Sequence, residues 1–283
     1  MLNRNIETFT GCDCEYKDAT IVIFGAPFDS TTSYRPGARF ASKTMRFESV
    51  GLETYSPYLD RDLYDINVFD GGDLELCFGS PQKALEDIEN FTKKILNDGK
   101  LPLMIGGEHL VTLGAVRAVF EKYPDLNIIH FDAHADLRQE YLGAALSHAT
   151  VIKRCYDMVG DNKIFQFGIR SGIKTEFEFA KSHTYMNKFN LNTLSDTLAT
   201  LERKPVYFTL DLDILDPSVF PGTGTPEPGG ISFAELLGGI QKVSKLNIVG
   251  CDMNELSPIY DQSGASTIVA CKVLRELILS LNK

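Results

Sequence analysis

The chain lacks any apolar run approaching the ~20 residues that a membrane-crossing helix requires, so no membrane partner is expected. Its first residues, Met1 to Glu7, lack the apolar centre of a secretory signal, and the expectation is a soluble, cytoplasmic protein. It also lacks a cysteine framework. Six cysteines are scattered along 283 residues, too sparse for a disulfide-stapled fold and in keeping with a reducing compartment. Cys12 and Cys14 form a CxC pair, but no neighbouring histidine or second pair completes a soft-metal site. Positive charge is in deficit, with 28 Lys and Arg against 38 Asp and Glu, a net charge of −10 and a pI near 5.0. Such a surface repels phosphate backbones, which argues against nucleic acid, and attracts small cations and metal ions. There is no Gly-, Pro- or Ser-rich linker, no internal repeat and no low-complexity tract, so residues 1–283 are expected to form a single domain.

What is present is an alternation. Short, near-continuous apolar runs at 19–24, 101–105, 127–131, 164–169, 206–210 and 247–251 have the character of strands covered on both faces. Between them lie segments with helical spacing of apolar residues. One starts at Pro81 behind the cap Ser80 and ends near Gly99; others span 110–120, 232–243 and 263–281. Strand–helix alternation predicts an α/β fold with a mostly parallel sheet between helical layers. Ligands in such folds bind at the carboxyl ends of the strands.

The polar residues cluster where those strands end. Gly106-Gly107-Glu108-His109 follows one strand, Asp132-Ala133-His134-Ala135-Asp136 follows another, and Asp211-Leu212-Asp213 closes a third. An extended backbone would aim Asp132, His134 and Asp136 to one side, and Asp211 and Asp213 likewise. Four carboxylates brought together and buried would be very costly without compensation. Two divalent cations cancel that charge, and donors of this type suit a hard or borderline ion such as Mn²⁺.

These motifs, with Ser147-His148-Ala149-Thr150, Asp211-Leu212-Asp213-Ile214-Leu215-Asp216-Pro217 and Asn254-Glu255-Leu256-Ser257-Pro258, occur in the order that resembles the ureohydrolase family, the arginases and agmatinases. The resemblance begins at Pro27-Phe28-Asp29 and covers nearly the whole chain. It implies a three-layer α/β/α sandwich and two Mn²⁺ per subunit. By the family pattern His109, Asp132, Asp136 and Asp211 hold one ion, and His134, Asp132, Asp211 and Asp213 hold the other. A hydroxide shared by the two ions attacks the guanidinium carbon. Asp136 and His148 handle protons, and Glu255 pairs with the planar guanidinium. A homo-oligomer, trimer or hexamer, is implied as well.

After Asp136 the chain runs Leu137-Arg138-Gln139-Glu140-Tyr141-Leu142-Gly143, unlike the small polar loop by which arginases hold an amino-acid tail. The neighbouring segments resemble agmatinases, so a small cationic guanidinium substrate, agmatine, is expected, with His148 and Glu255 at the head and Glu140 near the ammonium tail. Arg138 has two readings: it holds the carboxylate of a guanidino acid, or it pairs with Glu140. Other ureohydrolase substrates, a mononuclear zinc deacetylase-like enzyme and a non-catalytic metal-binding protein are the competing readings. His130, inside a strand, reads as a packed core histidine, and His183 as a surface one. Glu108 either orients a metal ligand or satisfies backbone donors. Arg35 and Arg39 order a loop or make a subunit contact, Asp216 shapes a turn, and the Gly- and Pro-rich segment 221–230 forms either a mobile or a rigid wall.

Overall fold

A computed structural model describes residues 7–282. Among these residues are ten strands and eight α-helices. The strands are β1 (Ile21–Gly25), β2 (Tyr55–Ser56), β3 (Arg61–Asp62), β4 (Val68–Asp73), β5 (Leu101–Ile105), β6 (Asn127–Phe131), β7 (Ile164–Ile169), β8 (Tyr185–Lys188), β9 (Pro205–Asp211) and β10 (Asn247–Asn254). The helices are α1 (Ala41–Glu48), α2 (Pro81–Asn97), α3 (Thr112–Lys122), α4 (Val151–Val159), α5 (Lys174–His183), α6 (Leu194–Thr200), α7 (Phe233–Val243) and α8 (Ala265–Leu281). Eight strands form one sheet in the order β4-β1-β5-β10-β9-β6-β7-β8, and every adjacent pair in it is parallel. β2 and β3 form a separate antiparallel pair.

Each face of the sheet carries a buried apolar layer. On one face Ile23, Leu103, Ile129, Phe208 and Cys251 pack with residues of α1, α7 and α8. On the other, Val22, Met104, Ile128, Ile164 and Tyr207 pack with residues of α2, α3, α4 and α5. This is the three-layer α/β/α sandwich, and β1, β5, β6, β7, β9 and β10 coincide with the six apolar runs. Local chemistry sets the helix ends. Ser80 accepts the Lys83 N–H and Pro81 occupies the first turn of α2. Ser232 and Glu235 close a reciprocal capping box at the start of α7.

The connection order decides where a ligand fits. From β5 the chain crosses to β6, builds outward through β7 and β8, then returns to insert β9 and β10. The neighbours β5, β10, β9 and β6 therefore surround the point where the winding reverses, and their carboxyl ends open one crevice. Pairing of Met253 with Ile105, Asn254 with Asp211 and Phe131 with Leu210 brings those ends nearly level.

Candidate metal centre

Each of the four central strands delivers site residues just at or beyond its end. β5 is followed by Gly106 and Gly107, then Glu108 and His109. A Cβ on Gly107 would lie 2.0 Å from the Phe28 carbonyl oxygen, and one on Gly106 would lie 1.8 Å from Asn254 Oδ1. Glycine is needed there because the turn passes so close to two other segments. β6 delivers Asp132, β9 ends on Asp211, and β10 is followed by Glu255.

The expected extended geometry of 132–136 is corrected by the structure. β6 stops at Phe131, and Asp136 has a left-handed backbone with φ of 51°. The Asp132 side chain accepts the His134 N–H, and Asp211 Oδ1 accepts the Asp213 N–H at 2.8 Å. Aspartate–backbone turns, rather than strand alternation, converge these side chains. Asp213 sits in a 3₁₀ turn, Leu212–Ile214.

The result is two groups sharing one carboxylate. His109 Nδ1 lies 3.0 Å from Asp132 Oδ2, 3.2 Å from Asp136 Oδ2 and 3.4 Å from Asp211 Oδ2. His134 Nδ1 lies 3.0 Å from Asp213 Oδ2 and 3.4 Å from Asp132 Oδ1. Asp132 thus offers one oxygen to each group. The structure brings together all six residues expected as metal ligands.

Burial and charge make this cluster unstable without a cation. Burial, with the charge of Asp132, raises the Asp136 carboxyl to about 7. Burial, with the charges of Asp213 and Asp132, pushes Asp211 well above the usual carboxylate range. For Asp132 burial acts in the same direction, but the electrostatic pull of His130, bonded to it at 2.7 Å, and of the neighbouring His109 and His134 outweighs it and holds the group well below its usual value. Three neighbouring carboxylates cannot share a dry site as anions unless positive charge is added. His109 Nδ1, buried and facing three of them, has no hydrogen-bond partner. A metal ion satisfies both conditions: it takes that lone pair and neutralises the acids.

His130 is fully buried, as expected of a core histidine, yet it also supports the cluster. Gln166 Nε2 donates to its Nδ1 at 3.1 Å, so the ring proton sits on Nε2 and is given to Asp132 Oδ2 at 2.7 Å. Glu108 orders a loop: it accepts from Thr31 N and Oγ1 and from Thr32 Oγ1. That loop carries Ser33, whose Oγ lies 2.9 Å from His148 Nε2. Glu255 accepts the His109 N–H at 2.7 Å from a backbone with φ of 66°. Burial, then the charge of Glu108, raises its carboxyl well above the usual range.

A cleft of about 200 Å³ opens above, lined by Ser33, His134, Asp136, Arg138, Tyr141, His148, Glu176 and Thr225 among others. Glu140 is exposed and is not among the lining residues. Arg138 pairs with Glu176 at 3.7 Å instead of with Glu140, and its guanidinium lies 4.4 Å from the Tyr141 ring centre. Burial, then the neighbouring His134 and His109, lowers His148 to about 4, which keeps its imidazole neutral. Arg170 was missed by the sequence reading. It donates to the carbonyls of Asp213 and Glu227, both at 2.8 Å, and with Asp216, which accepts from Gly229 and Gly230, makes the 221–230 wall a braced loop. His183 is a surface residue, as read, but it pairs with Asp161 at 2.6 Å.

With this geometry in view, the family assignment follows. Residues 19–280 match the model of the arginase family. The chain is 47% identical over 273 residues to an agmatinase of Bacillus subtilis, covering 95% of this chain and 94% of that protein. A Clostridium difficile structure, solved as a candidate agmatinase, superposes with a TM-score of 0.92 at 57% identity, covering 94% of this chain and 98% of that one. The proclavaminate amidinohydrolase of Streptomyces clavuligerus superposes with a TM-score of 0.87 at 30% identity, covering 98% and 97%. The chain belongs to the arginase family of metal-dependent amidinohydrolases. Within it, named agmatinases are among the relatives it resembles over nearly their full length.

Proposed function

We propose that the protein hydrolyses agmatine to urea and putrescine at a centre of two Mn²⁺ ions. The observation that carries the metal reading is the pair of His–carboxylate groups sharing Asp132, with the orphaned His109 Nδ1 between acids. His109, Asp132, Asp136 and Asp211 would hold one ion, and His134, Asp132, Asp211 and Asp213 the other. An all-nitrogen-and-oxygen donor set without thiolate suits Mn²⁺. Bound ions would supply the charge that makes a water nucleophilic near neutral pH and stabilises negative charge developing in the transition state.

The chain's own groups do the rest. Glu255 orients the guanidinium through paired N–H bonds to its carboxylate. Asp136, which lines the cleft beside His148, takes the proton of the attacking water. His148, neutral and held by Ser33, relays a proton to the departing amine across the cleft rather than storing one.

Agmatine is favoured over a guanidino acid by Arg138. Its cation, the one that could hold a substrate carboxylate, is committed to Glu176 and Tyr141. The acidic chain would draw a dicationic substrate. Glu140, exposed beyond the lining, would contribute across solvent only. Glu140→Gln is therefore expected to raise KM for agmatine by less than about threefold, a surface-charge effect; a tenfold rise would return Glu140 to direct contact with the tail. The decisive assay is urea release by Mn²⁺-loaded protein with agmatine, arginine and 4-guanidinobutyrate at equal concentration. Preference for agmatine supports the proposal; preference for either acid overturns the tail assignment and leaves the metal reading standing.

A further inference from the structure

Beneath the metal ligands, one row of the sheet is polar where a buried parallel sheet is ordinarily apolar. Asp252 of β10 is in register with Thr209 of β9, which is in register with His130 of β6, itself paired with Gln166 of β7. All four are fully buried. His130 and Gln166 serve Asp132 as described above. Asp252 and Thr209 do not line the cleft, and among the described residues one hydrogen bond links them to the centre: Thr209 Oγ1 lies 2.8 Å from His109 Nε2.

The proton inventory fixes the direction of that bond. Asp252 Oδ2 accepts from the Tyr207 hydroxyl at 2.6 Å. Its Oδ1 accepts from the Asn254 amide at 2.7 Å and from Thr209 Oγ1 at 2.6 Å. The Thr112 hydroxyl also bonds this carboxylate, and four donors aimed at one carboxylate require an acceptor on both oxygens. The single Thr209 proton is thereby spent on Asp252. Toward His109 the hydroxyl oxygen has only a lone pair to offer, so it must receive the Nε2 proton. With that proton on Nε2, Nδ1 is the ring nitrogen left to face Asp132, Asp136 and Asp211 and to give its lone pair to a cation held there. Gly250 leaves the space this arrangement requires, since a Cβ there would stand 3.0 Å from the Tyr207 ring.

From this we infer that Asp252 and Thr209 form a tautomer lock: positioning residues that hold His109 in its Nε2–H form so that Nδ1 is ready for a metal ion. The inference deepens the metal reading above and rests on it. It concerns one ion alone, because His134 lies outside the relay.

The test is titration of the apo-protein with Mn²⁺, following the free ion by its EPR signal and extracting two binding constants. Thr209→Val removes the hydroxyl at nearly constant shape. It is expected to weaken one ion by roughly 10- to 100-fold, the size of loss seen when the partner of a metal-ligating histidine is removed, and to leave the other nearly unchanged. Thr209→Ser is expected to restore the weakened site. Tyr207→Phe, which leaves Asp252 Oδ1 and its bonds from Thr209 and Asn254 in place, is expected to keep both ions. Wild-type affinity for both ions in Thr209→Val would overturn the lock. So would equal weakening of both ions without rescue by Ser, the signature of loosened packing. A wild-type chain that binds fewer than two ions would overturn the binuclear reading itself, an outcome distinct from any difference among variants.

Discussion

Glu108 illustrates how one side chain in this protein answers to conflicting demands. It is fully buried, and burial raises its carboxyl from 4.5 to about 7 in spite of the bonds it accepts from Thr31 and Thr32. A raised acid pKa means that the folded chain holds a proton that the unfolded chain has released. Stability therefore falls as pH rises from about 4.5 to about 7, by up to roughly 3 kcal/mol for a shift of this size. Glu108→Gln keeps the shape and removes the titration. Wild type is expected to lose stability relative to Glu108→Gln across that window, read as the difference in urea midpoint at pH 5 and pH 8. A constant difference would show that the cradle of two hydroxyls and one amide stabilises the anion fully. In either case the Thr31–Ser33 loop that meets His148 depends on this residue, so the variant should lower kcat more than it changes metal content.

At the level of elements, the turns after the strands do more to build the site than the strands themselves. Glu108 N donates to the Phe28 carbonyl at 2.7 Å, the same oxygen that a Cβ on Gly107 would strike. Gly107→Ala must open that contact and carry His109 with it. We expect a loss on the order of 2–4 kcal/mol of stability, as for other overpacked buried sites, together with weakened Mn²⁺ binding. Near-native stability with normal metal content would show the Phe28 segment to be pliable. The sequence made the clusters visible because His109, Asp132, His134, Asp136, Asp211 and Asp213 sit directly after apolar runs, and the six runs themselves mark the central strands. It hid the geometry between them, because turn conformations such as φ of 51° at Asp136 depend on tertiary contacts. β4 and β8 escaped the reading for a related reason. Val68–Asp73 carries Asp, Gly, Gly and Asp, and Tyr185–Lys188 is largely exposed, as edge strands tolerate. Thr209 and Gln166 did leave a signal, each a lone polar residue within an apolar run, and Asp252 directly follows one, but only strand register shows that they form one row.

For the whole molecule, the sheet's carboxyl edge concentrates acids that folding alone cannot keep ionised together. Folding creates the site, and the site is strained electrostatically until cations arrive, so metal affinity and fold stability are linked quantities. A site that binds only the native state adds RT ln(1 + [L]/Kd) of stability, about 4 kcal/mol per ion at a thousandfold excess over Kd. Titrating Mn²⁺ into apo-protein should raise the melting temperature continuously with concentration, and EDTA should reverse it. His134→Ala and Asp213→Ala should each blunt that rise by removing a ligand of one ion while His109, Asp132, Asp136 and Asp211 remain for the other. The two halves of the prediction separate stability from chemistry. If Mn²⁺ stabilises wild type but neither variant loses part of the increment, the second group does not hold an ion, and urea release would have to proceed from the His109 side alone. If both variants lose part of the increment together with nearly all urea release, the second group holds an ion that the reaction requires, and the two metal sites act as one reactive centre.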